Sequence, residues 1–444
     1  MEPSNVFIVG LDDKNLDVLC AQPFAERYRF HALSGHEEVQ NGGEVELPEL
    51  LDRMERRLQE FPGRIDAVVG YWDFPVSTVV PILCRRFGLR GPDLEAVVKC
   101  EHKYWSRLEQ RQVIEEYPRF ALVDLDGPAK PPEGLRYPMW IKPVKSYSSE
   151  LAFHVADDAQ YAKAVAAVRE GVGRLGEPFE FVLDRLDLPP EIAEAGGQAC
   201  LAEESLTGEQ VTVEGYSCDG RIEVYGIVDS VNYPDTSSFL RYQYPSALPD
   251  SVQDRLADIS RRVIARIGLD NSTFCIEYFC DLDSGRIGLL EVNPRHSQSH
   301  AELFEQVDGI PNHYCQIAIA LGEDPRLPRR QGPYALAAKW FLRRFTDGRV
   351  THRADDEALE RLCGEIPGVK TIPLVDAGAR LSEVSQATDS YSYELAHVYT
   401  AAADQKELRD KYTRAVAALD FRFDEDLGDT GTGAGGTGKE AERA

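Results

Sequence analysis

The stretch FCIEYFCDLDSGRIGLLEVNPRHSQSH, residues 274–300, has the pattern of two β-strands joined by a tight turn. Alternating apolar and polar residues flank the turn-forming triplet DSG at 283–285, which predicts a β-hairpin. If the loop is centred on Ser284, Glu277 lies directly opposite Glu291, with the two Cβ atoms about 5 Å apart. Facing carboxylates repel each other, so this pairing favours a cation bound between them.

Asn293 extends this candidate cation site. It follows Glu291 by two residues and points to the same face, because side chains alternate along a strand. Hard cations such as Mg²⁺ or Mn²⁺ prefer oxygen ligands, which predicts a metal site formed by Glu277, Glu291 and Asn293. Arg295 continues the same face and is a candidate to hold an anionic group beside the metal. A solvated hairpin face with ordinary surface acids is the alternative that spacing alone leaves open.

A doubly wound α/β domain is predicted at the N-terminus, over residues 1–100. The segments VFIVG (6–10) and AVVGYW (67–72) have the composition of buried strands. Apolar residues recur at helical spacing over 47–61 and around 79–87. This alternation of strand and helix predicts a parallel sheet with crossover helices.

The remaining chain divides into further segments by pattern. Strand-like runs at 120–124 and 139–144 and a helical pattern at 156–169 predict a small lobe, and four long strand patterns follow it. Near the C-terminus, AAKWFLRRF is strand-like and the pattern at 405–419 is helical. The predicted boundaries are a central small lobe over 101–204, a larger lobe with the metal site over 205–332, an α+β cap over 333–424 and a disordered tail over 425–444.

The bulk composition excludes several classes of function. A net charge of −26 argues against binding to nucleic acid or to an anionic membrane surface, since both require clustered cations. No apolar run approaches the roughly 20 residues of a membrane helix. The N-terminal residues lack the basic start and cleavage site of a secretory signal, so we expect a cytoplasmic protein whose nine cysteines are free thiols.

One phosphate-binding motif is interpreted as a coincidence. The segment GAGGTGKE, residues 433–440, matches a P-loop except that Glu440 stands where Ser or Thr must reach Mg²⁺. No strand-like segment precedes it and no apolar helical pattern follows. Its Gly-, Thr- and acid-rich surroundings instead predict disorder.

The hairpin and several other segments resemble the ATP-grasp superfamily. The run EVNPR (291–295) is similar to the family's metal-binding signature. In the segment CEHKYWSRLEQ, Lys103 resembles the first nucleotide-binding lysine, and in WIKPVKSYSSE, Lys142 resembles the second. Lys142 also interrupts an apolar strand pattern, and a half-buried lysine needs an anion nearby, for which a phosphate would serve.

The resemblance implies further nucleotide contacts. LAEESLTGEQVTVEGY resembles the hinge between the two lobes that hold ATP, which implies that Glu203 and the backbone near Leu206 meet adenine and that Glu209 meets the ribose. Ser149 belongs to KSYSSE (145–150), which resembles the loop that covers the phosphates. This loop departs from the family because it lacks glycine, so either serine hydroxyls replace the usual backbone contacts or the serines form a surface turn.

Taken together, the resemblance implies an ATP-grasp fold: an N-terminal doubly wound α/β domain, two lobes that hold ATP with Mg²⁺ or Mn²⁺, and a small C-terminal α+β cap. The segment DSYSYELAHVYTAAADQKELRDKYTRAV (389–416) resembles the closing subdomain of L-amino-acid ligases in this superfamily. This resemblance implies an ADP-forming carbon–nitrogen ligase acting on a small carboxylate and an amine, and a possible homodimer. Arg241, in the aromatic-rich segment 230–249, is the candidate for contact with the carboxylate or acyl phosphate. A plain loop packed over the core is the alternative for that segment.

Two other functions are considered alongside the ligase. Biotin carboxylases share the fold and have a catalytic Glu directly before the matching His, whereas this chain has Ser299 before His300. A serine cannot act as the base that deprotonates bicarbonate. A non-catalytic nucleotide-binding protein would be expected to lack a metal ligand, and none is missing here. His296 and His300 either line the acceptor pocket or are structural histidines.

Overall fold

The computed structural model describes residues 2–40, 46–146, 150–384 and 392–424. Ser149, in the predicted phosphate loop, lies outside the described residues. So does the predicted disordered tail at 425–444, including its P-loop-like segment.

The secondary structure follows the predicted alternation of strands and helices. The strands are β1 (Ser4–Leu11), β2 (Tyr28–Gly35), β3 (Ala67–Gly70), β4 (Phe120–Val123), β5 (Met139–Pro143), β6 (Phe153–Val155), β7 (Cys200–Glu204), β8 (Glu209–Cys218), β9 (Arg221–Asn232), β10 (Phe239–Tyr244), β11 (Ser272–Asp281), β12 (Arg286–Asn293), β13 (Leu336–Arg344), β14 (Val350–His352), β15 (Val369–Pro373), β16 (Tyr393–Ala402) and β17 (Arg422–Phe423). The helices are α1 (Asp13–Cys20), α2 (His36–Gln40), α3 (Leu47–Glu60), α4 (Val76–Phe87), α5 (Leu94–Glu101), α6 (Lys103–Gln110), α7 (Asp158–Gly171), α8 (Gly173–Leu183), α9 (Pro190–Ala195), α10 (Asp250–Ile267), α11 (Ala301–Asp308), α12 (His313–Ala320), α13 (Asp356–Glu365) and α14 (Gln405–Leu419).

These elements form two compact units. The first comprises Met1–Gly226, Leu248–Gln298 and Asn312–Leu327, and the second comprises Ile227–Ala247, Ser299–Pro311 and Pro328–Ala444. Strand β9 begins in the first unit and ends in the second. The finer division into four domains and a tail stays a prediction.

In the first unit, the N-terminal strands form a parallel sheet in the order β2-β1-β3, as the βαβα pattern predicts. Helices α3 and α4 pack around it because their apolar residues recur at helical spacing, burying Leu50, Met54, Val79 and Leu83. The strand order changes direction at β1. The carboxyl ends of β1 and β3 are therefore neighbours, an arrangement that commonly positions functional groups in open α/β sheets.

Two antiparallel sheet regions complete the first unit. The smaller has the order β4-β7-β5-β6, and its core contains Met139, Ile141 and Tyr161. Helices α8 and α9, whose apolar residues join the core around the N-terminal sheet, were not predicted. Gly173, Gly176 and Pro178 weaken the helical pattern of α8. The larger region has the order β12-β11-β8-β9.

The second unit contains the order β9-β10-β13-β16-β15, together with the short pair β14-β17. Strand β10 lies inside the segment 230–249, for which a plain loop is the alternative prediction, and that alternative is wrong for residues 239–244. Aromatic residues at these positions favour a strand. Helix α14 buries Leu408, Tyr412 and Ala415 in an apolar core that also includes Trp340 of β13.

All nine cysteines are free, as predicted. Among the described residues, no helix has both the length and the apolar composition needed to cross a membrane.

Candidate active site

The hairpin β11–β12 pairs Glu277 directly with Glu291, as predicted from the sequence. The strands reach this register in a different way from the symmetric loop that the prediction assumed. Near the turn, Asp281 pairs with Arg286 and Tyr278 pairs with Leu289, a register that by itself would place Glu277 opposite Leu290. An irregularity between Glu277 and Tyr278 leaves Leu290 unpaired and restores the opposition of the two carboxylates. The β-bulge therefore positions the candidate metal site.

The two facing carboxylates have different surroundings. Glu291 Oε1 accepts a 2.5 Å hydrogen bond from Lys103 Nζ. Glu277 Oε2 accepts one from the neutral amide of Gln210, at 3.0 Å, and no Lys or Arg in the described part of the chain forms an ion pair with it. Burial and the charge of Glu291 together raise the pKa of Glu277 to about 7. Of the two, Glu277 is the carboxylate whose charge lacks direct compensation.

These residues fit a hard divalent cation. Asn293 pairs with Cys275 on β11 and lies on the same strand face as Glu291. The described residues contain no group of three His, Cys, Asp or Glu side chains that could hold a metal by themselves. Two carboxylates and an amide are consistent with Mg²⁺, which commonly takes one or two carboxylates and completes its shell with water and nucleotide phosphates.

The two predicted nucleotide lysines lie on adjoining segments. Lys103 is the first residue of α6, and its backbone N–H donates to the carbonyl of Val144, directly after β5. Lys142 lies on β5, so this backbone hydrogen bond brings the two lysine segments together. Both side chains are buried. Lys103 Nζ also donates to the carbonyl of Ser146, the second residue of the predicted phosphate loop.

Glu203, the predicted adenine contact, holds two cations at the hinge. Its carboxylate accepts from Arg107 Nε and Lys142 Nζ, each at 2.6 Å. Burial alone would raise the pKa of Glu203, but these two cations lower it to about 2. Burial also lowers the pKa of Lys142. The side chain of Glu203 thus fixes the position of Lys142, and its contact with adenine stays a prediction.

The hinge connection between β7 and β8 packs closely on the hairpin. Gly208 has φ +114°, and a Cβ at this position would lie 2.4 Å from the backbone carbonyl of Cys280. Leu206 covers Gly288 of β12, where an added Cβ would lie 2.4 Å from the leucine side chain. At Gly208 the backbone contact and the positive φ allow only glycine, whereas at Gly288 a larger residue would displace the Leu206 side chain. Glu209, the predicted ribose contact, is exposed at the start of β8.

Arg295 is held by an acidic partner from the N-terminal sheet. Its Nε and Nη2 donate to Asp73 Oδ1 at 2.9 and 2.5 Å, and its Nη1 donates to the carbonyl of His296 at 3.2 Å. Burial would lower the pKa of Arg295, but Asp73 raises it above its ordinary value. The next segment is fixed as well, because the backbone N–H of Ser297 donates to the buried carboxylate of Glu214 on β8.

The match to known proteins agrees with this geometry. Residues 135–301, which include Lys142, the hinge and the whole hairpin, match the ATP-grasp domain family. The chain also superposes on the L-amino acid ligase of Bacillus licheniformis with a TM-score of 0.69 and 16% identity, covering 95% of this chain and 99% of that one. The protein has an ATP-grasp fold.

Another solved structure and one protein sequence are also similar to the chain. A biotin carboxylase of Campylobacter jejuni, in a complex with β,γ-ATP, gives a TM-score of 0.62 at 14% identity and covers 95% of this chain and 92% of that one. The uncharacterized protein y4rH of Sinorhizobium fredii is 25% identical over 350 residues. That match covers 76% of this chain and 64% of y4rH, so the chain spans less than two thirds of the length of this relative.

Arg241, the other predicted catalytic residue, belongs to the second unit of the ATP-grasp fold. It lies on β10 with its guanidinium 4.8 Å from the ring of Trp340, and Trp340 stacks on Tyr412 of α14. The neighbouring Tyr242 points to the other face of the sheet, where its ring contacts His300. The contact of Arg241 with a substrate carboxylate stays a prediction.

Sequence reasoning missed several charged residues of the first unit. Arg107 follows Lys103 by four residues on α6, so helical spacing was a signal that both share one face. Asp73 follows β3, and the end of a parallel strand was a second signal. The buried pair of Lys145 and Glu101 had no local signal, because it joins residues from separate elements.

Proposed function

We propose that the protein is an ATP-dependent carboxylate–amine ligase that activates its carboxylate as an acyl phosphate and releases ADP and phosphate. The observation that carries this proposal is the opposition of Glu277 and Glu291 beside Lys103 and Lys142. Carboxylates, an amide and cations without an activated nucleophile are typical of phosphoryl-transfer sites, where catalysis rests on positioning and electrostatics. The similarity to an L-amino acid ligase supports the same reading.

The chain's own groups supply most of what this chemistry needs. Mg²⁺ or Mn²⁺, bound by Glu277, Glu291 and Asn293, would add charge neutralisation on the nucleotide phosphates. Lys142 is held in place by Glu203, so it meets a phosphate without a large loss of side-chain freedom. Lys103 would exchange its contact with Glu291 for one with the nucleotide.

The proposed reaction has two steps. A substrate carboxylate oxygen attacks the γ-phosphorus of ATP, and the bond to the β–γ bridging oxygen breaks to release ADP. The amine nitrogen then attacks the carbonyl carbon of the acyl phosphate, forming the amide as inorganic phosphate leaves and the amine loses a proton. Arg295, fixed by Asp73, would stabilise negative charge on the transferred group.

A carboxylase is the second candidate, because a biotin carboxylase has a similar fold. Ser299 argues against it. Its hydroxyl lies 3.2 Å from Lys339 Nζ and is not a base near neutral pH. A general base typically contributes about 10²–10⁴-fold to such a reaction.

The test is a screen of amino-acid and short-peptide pairs for ATP turnover, with product analysis. We expect ADP and phosphate from a productive pair, and a hydroxamate when hydroxylamine replaces the amine. Free biotin with bicarbonate should give only background turnover, and Ser299→Glu should not create any. Stoichiometric AMP, or bicarbonate-dependent turnover by the unaltered protein, would contradict the ligase proposal.

A further inference from the structure

A chain of buried hydrogen bonds connects the first helix to the segment that carries Arg295. His313 Nε2 lies 2.9 Å from Asn15 Oδ1, and His313 Nδ1 lies 2.8 Å from His296 Nε2. His296 Nδ1 lies 3.1 Å from Thr273 Oγ1. All four residues belong to the first unit, and all four side chains are buried.

With both imidazoles neutral, the direction of every proton in this series of hydrogen bonds follows from Asp12. Its carboxylate accepts from the amide nitrogen of Asn15 at 2.9 and 2.8 Å, so Asn15 Oδ1 must face His313 as an acceptor. His313 therefore carries its proton on Nε2 and accepts at Nδ1. His296 must then donate from Nε2 and accept at Nδ1, where the Thr273 hydroxyl donates.

The other bonds of Thr273 agree with this assignment. Its oxygen accepts from the backbone N–H of His296 at 3.0 Å, which leaves its own proton for the imidazole. Both imidazoles are neutral in this arrangement. The ring of Tyr71 packs against them, with centroid distances of 5.9 Å to His296 and 4.7 Å to His313, and shields them from water.

This series of hydrogen bonds ends at the side-chain amide of Asn15, which does not transfer protons. Its physical effect is therefore to hold the side chains in position. The carbonyl of His296 accepts from Arg295 Nη1, so the orientation of His296 sets one of the guanidinium's bonds. We propose that Asn15, His313 and His296 are positioning residues that hold the guanidinium of Arg295 toward the γ-phosphate of ATP. This inference rests on the role given to Arg295 in the proposed function.

The inference is tested by nucleotide affinity, which needs no knowledge of the other substrates. Mg–β,γ-imido-ATP has a γ-phosphate and MgADP lacks one, so isothermal titration calorimetry with both probes isolates the contact of Arg295. We expect Arg295→Lys and His313→Phe each to weaken imido-ATP binding about tenfold, the loss typical of one charge-assisted hydrogen bond. ADP binding should change less than about twofold in both variants, since the altered contact is absent.

The double variant separates positioning from general destabilisation. Adding His313→Phe to Arg295→Lys should cause no further loss of imido-ATP affinity, because both changes act through one contact. The matched control is His31→Phe, since His31 also bonds an asparagine side chain, Asn5, at 3.0 Å, and it should leave both affinities unchanged.

Four results would contradict the inference. Equal weakening of ADP and imido-ATP by His313→Phe, or additive losses in the double variant, would contradict positioning while leaving the ligase proposal intact. If Arg295→Lys itself does not distinguish the two nucleotides, the proposed role of Arg295 fails first. Independently, nitrogen-15 NMR should find His296 and His313 neutral and protonated on Nε2 at pH 7.5, and any other tautomer would contradict the assigned chain.

Discussion

The hinge strands β7 and β8 and the hairpin β11–β12 both place a carboxylate in the ATP-grasp domain, but the two are balanced differently. Glu203 at the hinge accepts from Arg107 and Lys142, and its pKa is lowered to about 2. Glu277 in the hairpin faces another carboxylate and has the neutral amide of Gln210 as its donor, and its pKa is raised to about 7. The carboxylate at the hinge is therefore neutralised by two cations of the protein itself, whereas Glu277 forms no ion pair with a Lys or Arg in the described part of the chain. The first stabilises the fold, and the second is suited to function.

The largest expected effect is on catalysis at the hairpin. Glu291→Gln should lower ADP-forming turnover by at least about a hundredfold, because loss of metal-based charge neutralisation costs several kcal/mol in the transition state. The fold should persist, as judged by circular dichroism and urea unfolding. Asp283→Asn, in the exposed turn of the same hairpin, is the matched control and should retain full turnover. Near-normal activity of Glu291→Gln would show that the hairpin does not hold the metal.

The next effect is on stability, and it should appear at the hinge. Glu203→Gln leaves Arg107 and Lys142 without their shared anion and should reduce the free energy of unfolding by about 3–5 kcal/mol. Glu277→Gln should leave the metal-free protein equally stable or more stable, since it removes an uncompensated carboxylate. Both are measured by urea unfolding in EDTA.

A control for the hinge comes from the adjacent position. Glu204 forms a weak surface pair with Arg286 at 3.6 Å, so Glu204→Gln should change stability by less than about 1 kcal/mol. If Glu203→Gln and Glu277→Gln lowered the free energy of unfolding equally, the distinction between the hinge and the hairpin would be wrong.

The smallest effect is a difference in how stability depends on pH. The free energy of unfolding should change on the order of 1–3 kcal/mol over the pH range in which each carboxylate titrates. Glu203 has a folded pKa near 2, below its ordinary value of 4.5, so its contribution to stability is present above pH 4.5 and is lost as the pH falls toward 2. Glu277 has a folded pKa near 7, above the same ordinary value, so stability is lost as the pH rises from 4.5 through 7. In metal-free protein, Glu203→Gln should reduce the pH dependence of the free energy of unfolding only below pH 4.5. Glu277→Gln should reduce it only between pH 4.5 and pH 7. Urea unfolding across pH 3–8 checks this, and slopes of the same sign in both pH ranges would contradict the assigned environments.

The sequence by itself determined most of the fold and identified the hairpin that we propose binds the metal. The period of apolar residues predicted β1, α3, β3 and α4, and the parallel sheet follows from their alternation. The facing pair of Glu277 and Glu291 was also predicted, because the turn and the strand period are local properties. The symmetric loop nevertheless missed the bulge at Leu290, which depends on how β12 fits its neighbours.

Only the tertiary structure decided which charges are compensated. Glu203 and Arg107 lie 96 residues apart in the chain, and Arg295 and Asp73 lie 222 apart. Single-sequence patterns carry information over one element, where the backbone period fixes which side chains share a face. Ion pairs between elements depend on how the β-sheets and helices pack. The sequence therefore supplied the charged residues, and the packing determined which carboxylates have a cationic partner.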